Sequence, residues 1–181
     1  MPVSLQIETT HPGIKRNADE LLRFARRARI AVGLQGTVSI LVESNERMRA
    51  MNRYFRHKDK PTDVLSFPPA EEVAKLHSGD IAISADIAAA NAKLLKHKLQ
   101  DEIKVLILHG MLHLAGYDHE NDRGEMAAAE KQLRAKLKLP AALIERSSDS
   151  PIKAPSAKRT ARIKKATGRG KSRKPARRIS R

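Results

Sequence analysis

The 181-residue sequence has no cysteine and no tryptophan, and its only aromatic residues are Phe24, Tyr54, Phe55, Phe67 and Tyr117. Without cysteine there can be no disulfide, thiolate-held zinc, iron–sulfur cluster or thiol nucleophile. That composition suits a reducing compartment. No apolar run approaches the roughly 18 residues of a membrane-spanning helix. The start, Met1-Pro2-Val3-Ser4-Leu5, lacks the basic-then-apolar order of a signal peptide. The expectation is a soluble, cytoplasmic protein with no membrane partner.

Acidic residues are scarce, and unevenly so. The chain holds 36 Lys or Arg against 20 Asp or Glu, a net charge of +16. Residues 1–146 carry 23 basic and 19 acidic side chains, whereas residues 147–181 carry 13 basic side chains and one acid, Asp149. The first part has the length and balance of one ordinary domain. The second, rich in Ser, Pro, Gly, Lys and Arg, has too little apolar surface to offset its ordering entropy, so a disordered basic tail is expected.

Within 1–146, Leu5 and Ile7 alternate with polar neighbours as in a half-buried strand, which His11-Pro12-Gly13 ends. Leu21, Leu22, Ala25, Ala28 and Val32 recur at helical spacing before Gly33, and the arginines on the other face read as a solvated surface. Further strands are expected at 37–42, 63–67 and 81–84. Further helices are expected at 45–55 (capped by Ser44), 86–97, 101–115 and 121–139. Four short strands among five helices make an α+β fold with one small mixed sheet.

The informative stretch is Leu108-His109-Gly110-Met111-Leu112-His113-Leu114-Ala115-Gly116-Tyr117-Asp118-His119. His109 and His113 are one helical turn apart and share a face, the geometry by which a rigid element offers a metal two ligands. Gly116 is placed to end that helix and let the chain return His119 as a third. Three imidazoles leave a coordination position open, the mark of catalytic zinc, where bound water is acidified to near-neutral pKa. The spacing is that of the metzincin proteases, but their general-base Glu is replaced by Gly110, which argues against peptide hydrolysis. Asp118, beside His119, reads equally as a hydrogen-bond partner of a ligand imidazole or as a helix N-cap. His11, His77 and His97 read as ordinary surface histidines.

At this point the sequence resembles the YbeY family of bacterial endoribonucleases. His109–His119 match its pattern H-G-x-L-H-L-x-G-Y-D-H, and a second match runs from Asn52-Arg53-Tyr54-Phe55-Arg56 through Thr62-Asp63-Val64-Leu65-Ser66-Phe67-Pro68. The resemblance implies one zinc, or another divalent transition metal, on His109, His113 and His119. It implies metal-dependent cleavage of single-stranded RNA in ribosomal RNA maturation, 16S 3′-end processing and ribosome quality control, with the small ribosomal subunit as partner. It also implies a catalytic role for Arg56, whose guanidinium suits the charge building on a phosphodiester, and for His109. Arg53, Lys58 and Lys60 are the candidate RNA contacts, with His57 a further one. Attack by hydroxide and by the adjacent 2′-OH both stay open. So few aromatics leave RNA recognition to phosphate contacts, and the tail would add salt-sensitive affinity for polyanions. The rival readings are a ribosome-assembly or RNA-binding factor with a structural metal, and a metallohydrolase of another substrate.

Overall fold

Val38, Ile40 and Val42 alternate with half-buried neighbours in a strand that lies inside the sheet, as the computed structural model, which describes residues 5–119 and 121–140, makes plain. The elements in order are β1 (Leu5–Thr9), α1 (Pro12–Lys15), α2 (Ala18–Val32), β2 (Thr37–Glu43), α3 (Asn45–Arg56) and β3 (Val64–Phe67). A 3₁₀ turn (Glu71–Val73), β4 (His77–Ser84), α4 (Ala85–Leu94), α5 (Leu99–Leu114) and α6 (Glu125–Leu137) follow. The sheet order is β1-β2-β4-β3, with β1, β2 and β4 parallel and β3 antiparallel at one edge. This is the expected α+β architecture with a four-stranded mixed sheet. Residues 1–4 and 141–181, including the basic segment, and Glu120 lie outside the described residues.

Local differences from the sequence reading have local causes. A sixth helix, the single turn α1, begins at Pro12, where a missing N–H is no loss, and buried Ile14 pins it to the core. The last helix starts at Glu125 rather than Asn121, because the Asp122 carboxylate accepts hydrogen bonds from the backbone N–H of Gly124 (2.8 Å) and of Met126 (2.7 Å). His97 is not an ordinary surface histidine. It sits in the α4–α5 turn with Nε2 2.8 Å from Glu102 Oε2, and the fully buried Glu102 also accepts from Asn91 Nδ2 at 3.2 Å. One of the α2 arginines is also engaged: Arg29 donates to the carbonyls of Leu34 (2.8 Å) and Gln35 (3.1 Å) beyond the helix end.

The two sheet faces are covered unequally. Leu21, Phe24, Ala25 and Ala28 of α2 and Ile103, Leu106, Ile107 and Met111 of α5 pack with Val38, Ile40, Val64, Ile81 and Ile83 in the main core. On the opposite face Met48 of α3 meets Leu65 and Ala82, with Met51 and Phe67 at the margin. Helix α5 is apolar nearly all round and buried from Val105 to His113, as a helix inside a layer must be. Ser66 of β3 donates to the carbonyl of Gly110 at 3.2 Å, tying the edge strand to the middle of α5.

Candidate metal centre

His109 and His113 project from one face of α5 with ring centroids 4.8 Å apart. The helix ends at Leu114, and the chain turns at Gly116 (φ 93°), where the N–H of Gly116 bonds to the His113 carbonyl and that of Tyr117 to the Leu112 carbonyl. That turn returns His119, whose ring lies 5.2 Å from His113 and 5.8 Å from His109. One ligand nitrogen from each of the three falls within 4.8 Å of the others.

The hydrogen bonds settle which nitrogens face inward. The Tyr117 carbonyl, 3.0 Å from His113 Nδ1, can only accept, so Nδ1 carries the ring proton and Nε2 the lone pair. His109 Nδ1 donates in the same way to Glu130 Oε2 at 2.8 Å. The two Nε2 atoms then face each other at 3.1 Å. Lone pairs at that distance require a cation between them, a proton or a metal. Two nitrogens about 2.05 Å from one tetrahedral ion would stand about 3.3 Å apart. The donor set therefore fits a divalent ion of the zinc type, with two imidazoles oriented through their other nitrogen.

Burial pushes the His113 imidazole down to about 4, helped by the charges of His109 and His119 and opposed by the Tyr117 carbonyl and Asp118. His113 is thus neutral at pH 7 and ready to coordinate. The unfolded imidazole titrates at its ordinary 6.5, so between about pH 6.5 and 4 the unfolded chain binds the extra proton. Acid therefore removes stability in that window, on the order of 3 kcal/mol in all. Urea unfolding of chelator-treated protein at stepped pH should show this fall. His113→Gln should flatten it, and an unchanged slope in that variant would assign the acid lability elsewhere.

Glu130 of α6 is the functional neighbour that sequence reading missed. Burial raises its carboxyl, but the hydrogen bond and charge of His109, with the charge and hydrogen bond of Arg134, outweigh burial and hold it down to about 2. Arg134, 5% exposed, donates from Nε to Glu130 Oε1 at 2.8 Å and through Nη2 to the same oxygen, and reaches the Pro140 carbonyl at 3.4 Å. The only signal in the sequence was the i, i+4 spacing of Glu130 and Arg134. Nothing local connects position 130 with position 109.

Gly110 explains the departure from the protease pattern. A Cβ there would stand 2.8 Å from Ile81 Cγ2, so position 110 faces β4 and not the histidines. A glutamate at this position has no space and no line to the site. Asp118 accepts from Asn121 Nδ2 at 2.6 Å, and its charge acts on His113; the N-cap of α6 is Gly124, and Asp122, not Asp118, accepts from the first-turn N–H of Met126.

A sequence profile described as Endoribonuclease YbeY matches residues 4–138. The chain belongs to the Endoribonuclease YbeY family. The Endoribonuclease YbeY of Koribacter versatilis (strain Ellin345) is 55% identical over 131 residues, 72% of this chain and 84% of that protein. That of Solibacter usitatus (strain Ellin6076) is 48% identical over 124 residues, 68% and 82% of the two chains. That of Nautilia profundicola is 46% identical over 112 residues, 62% and 80%.

The second YbeY-like motif forms a separate group. Arg53 and Arg56 close α3, His57 ends it in the left-handed conformation (φ 58°), and Lys58 and Lys60 follow. Asn52, fully buried, donates from Nδ2 to the Lys60 carbonyl at 2.7 Å and so fixes the loop against the helix. Arg49 and Asp59 form a two-pronged pair at 2.9 and 2.8 Å. The structure thus gathers the three histidines at the end of α5 and the four cations at the end of α3. Those two helices pack on opposite faces of β3–β4.

Proposed function

We propose that this chain cleaves single-stranded RNA with a divalent ion, zinc or a similar transition metal, held by His109, His113 and His119. The family supplies the class, an endoribonuclease. The observation that supports metal dependence is the convergence of the His109 and His113 lone pairs at 3.1 Å, with both outer nitrogens already engaged. When bound, such an ion polarises phosphoryl oxygens and acidifies water. The protein's own part is to keep His113 neutral and to orient His109 through Glu130. Ribosomal RNA maturation, the small ribosomal subunit as partner and the cytoplasm as location belong to the same proposal. So does the division into a catalytic domain over 1–146 and a polyanion-binding tail over 147–181. Among the described residues no helix is long and apolar enough to cross a membrane.

Arg56 is assigned to the phosphate, where its planar fork can bind two oxygens as charge builds on them. Arg56→Ala should lower kcat about a hundredfold and leave RNA affinity within a few-fold, because Arg53, Lys58 and Lys60 hold the backbone. Single-turnover kinetics separate the two effects. A loss confined to affinity would reduce Arg56 to a binding residue.

The deciding experiment is cleavage of end-labelled single-stranded RNA by the purified chain, with and without chelator. Turnover lost with chelator and restored by metal supports the proposal. RNA bound and metal held without turnover would favour an assembly factor with a structural metal.

A further inference from the structure

Three of the five aromatic residues meet at one place on the surface. Tyr54 and Phe55, on the last turn of α3, pack edge to face with ring centroids 4.8 Å apart, and Phe55 packs edge to face with Phe67 of β3 at 4.9 Å. Yet Tyr54 is 77% exposed and Phe55 46% exposed. Among the described residues, the other exposed large apolar side chains are Ile30, Val73, Leu76 and Leu94, and none is aromatic. Phe67 anchors Phe55, and Phe55 braces Tyr54, so the rings are held in place while most of the Tyr54 ring and part of Phe55 face water.

The surroundings select the occupant. Residues 53–60 carry Arg53, Arg56, Lys58 and Lys60 against a single carboxylate, Asp59, which Arg49 already neutralises. Apolar rings set among cations suit a polyanion that also presents aromatic faces. A protein partner would bring a larger apolar patch than two rings. The platform and the histidines flank the same edge strand from opposite faces. Ser66 touches Gly110, next to His109, from one face of the edge strand, while Phe67, the adjacent residue, meets Phe55 from the other.

We infer that Tyr54 and Phe55 form a stacking platform for bases of single-stranded RNA, with Arg53, Lys58 and Lys60 taking the adjoining phosphates. The inference rests on the ribonuclease reading above and deepens it. It gives this chain a base-contacting subsite that acts by stacking, is tolerant of sequence, and requires an unpaired strand.

The test uses the full chain with metal and a cleavage-resistant single-stranded oligoribonucleotide, 2′-O-methylated with phosphorothioate links, titrated by fluorescence anisotropy. Tyr54→Ala removes an exposed side chain and no charge. It should weaken binding about tenfold. The slope of log K against log salt should stay unchanged, as should affinity for heparin, a polyanion without bases. Tyr54→Trp should restore binding, and its indole, the chain's sole tryptophan, should be quenched by the oligonucleotide and not by heparin. Unchanged oligonucleotide affinity in Tyr54→Ala would overturn the platform and leave the ribonuclease reading standing. A parallel loss of heparin affinity would also overturn it, by making the effect electrostatic or structural. Lack of chelator-sensitive cleavage by the unmodified protein would sink the ribonuclease reading, whereas the stacking signature would survive it.

Discussion

Replacing His113 with alanine is expected to abolish tight metal binding and to lower RNA cleavage about a thousandfold or more. The ring is 3% exposed, is held neutral at pH 7, and presents its Nε2 lone pair 3.1 Å from that of His109. Removing it leaves two ligands where three converge, which opens the coordination sphere and releases the ion. A thousandfold loss corresponds to about 4 kcal/mol of transition-state stabilisation, within what a catalytic metal supplies. The measurement pairs metal content after dialysis with cleavage rates, and circular dichroism checks the fold. His113→Asn keeps polarity and bulk while shortening the reach, so it separates loss of the ligand from loss of packing. Cleavage by both variants at the unmodified rate would end the metal-centre assignment.

Glu130→Gln is expected to weaken metal affinity about 10- to 100-fold, although residue 130 is not itself among the ligands. The carboxylate accepts the Nδ1 proton of His109, which aims Nε2 at the ligand position; a neutral amide does this less well. A second effect follows from Arg134. It is buried with Glu130 as its partner, so Glu130→Ala strands a guanidinium and should cost about 3–5 kcal/mol of stability. Competition with a chromogenic chelator reads the first effect and urea unfolding the second. Unchanged affinity in the glutamine variant would show that His109 is oriented by its helix alone. In that case Glu130 would serve only to neutralise Arg134.

What could be read along the chain was local. The spacing of His109 and His113, the turn at Gly116 and the return of His119 involve eleven consecutive residues. The 3.6-residue helical period and one left-handed glycine are enough to bring those side chains together. The strand pattern of 37–42 and the Ser44 cap were legible for the same reason, since Ser44 accepts from the N–H of Arg47, three residues on. The short helix at Pro12–Lys15 was missed because Pro and Gly dominate a propensity reading, while buried Ile14 depends on a core assembled from distant segments.

By itself the sequence determined the histidine triad, the basic motif and the family, because each is carried by contiguous residues whose relative geometry is set by backbone periodicity. Only the tertiary structure decided the rest. Glu130 reaches His109 because α6 packs back on α5, 21 residues along the chain. Gly110 is glycine because Ile81 of β4 occupies the space where its side chain would go. The number of aromatic residues says nothing of where they stand in the fold. Phe67 on β3 and Phe55 on α3 meet only once the strand and helix are packed, and that contact supports Tyr54 at the surface among the cations. Contacts of this kind form between segments whose separation along the chain carries no periodic signal, so only the packed fold reveals them.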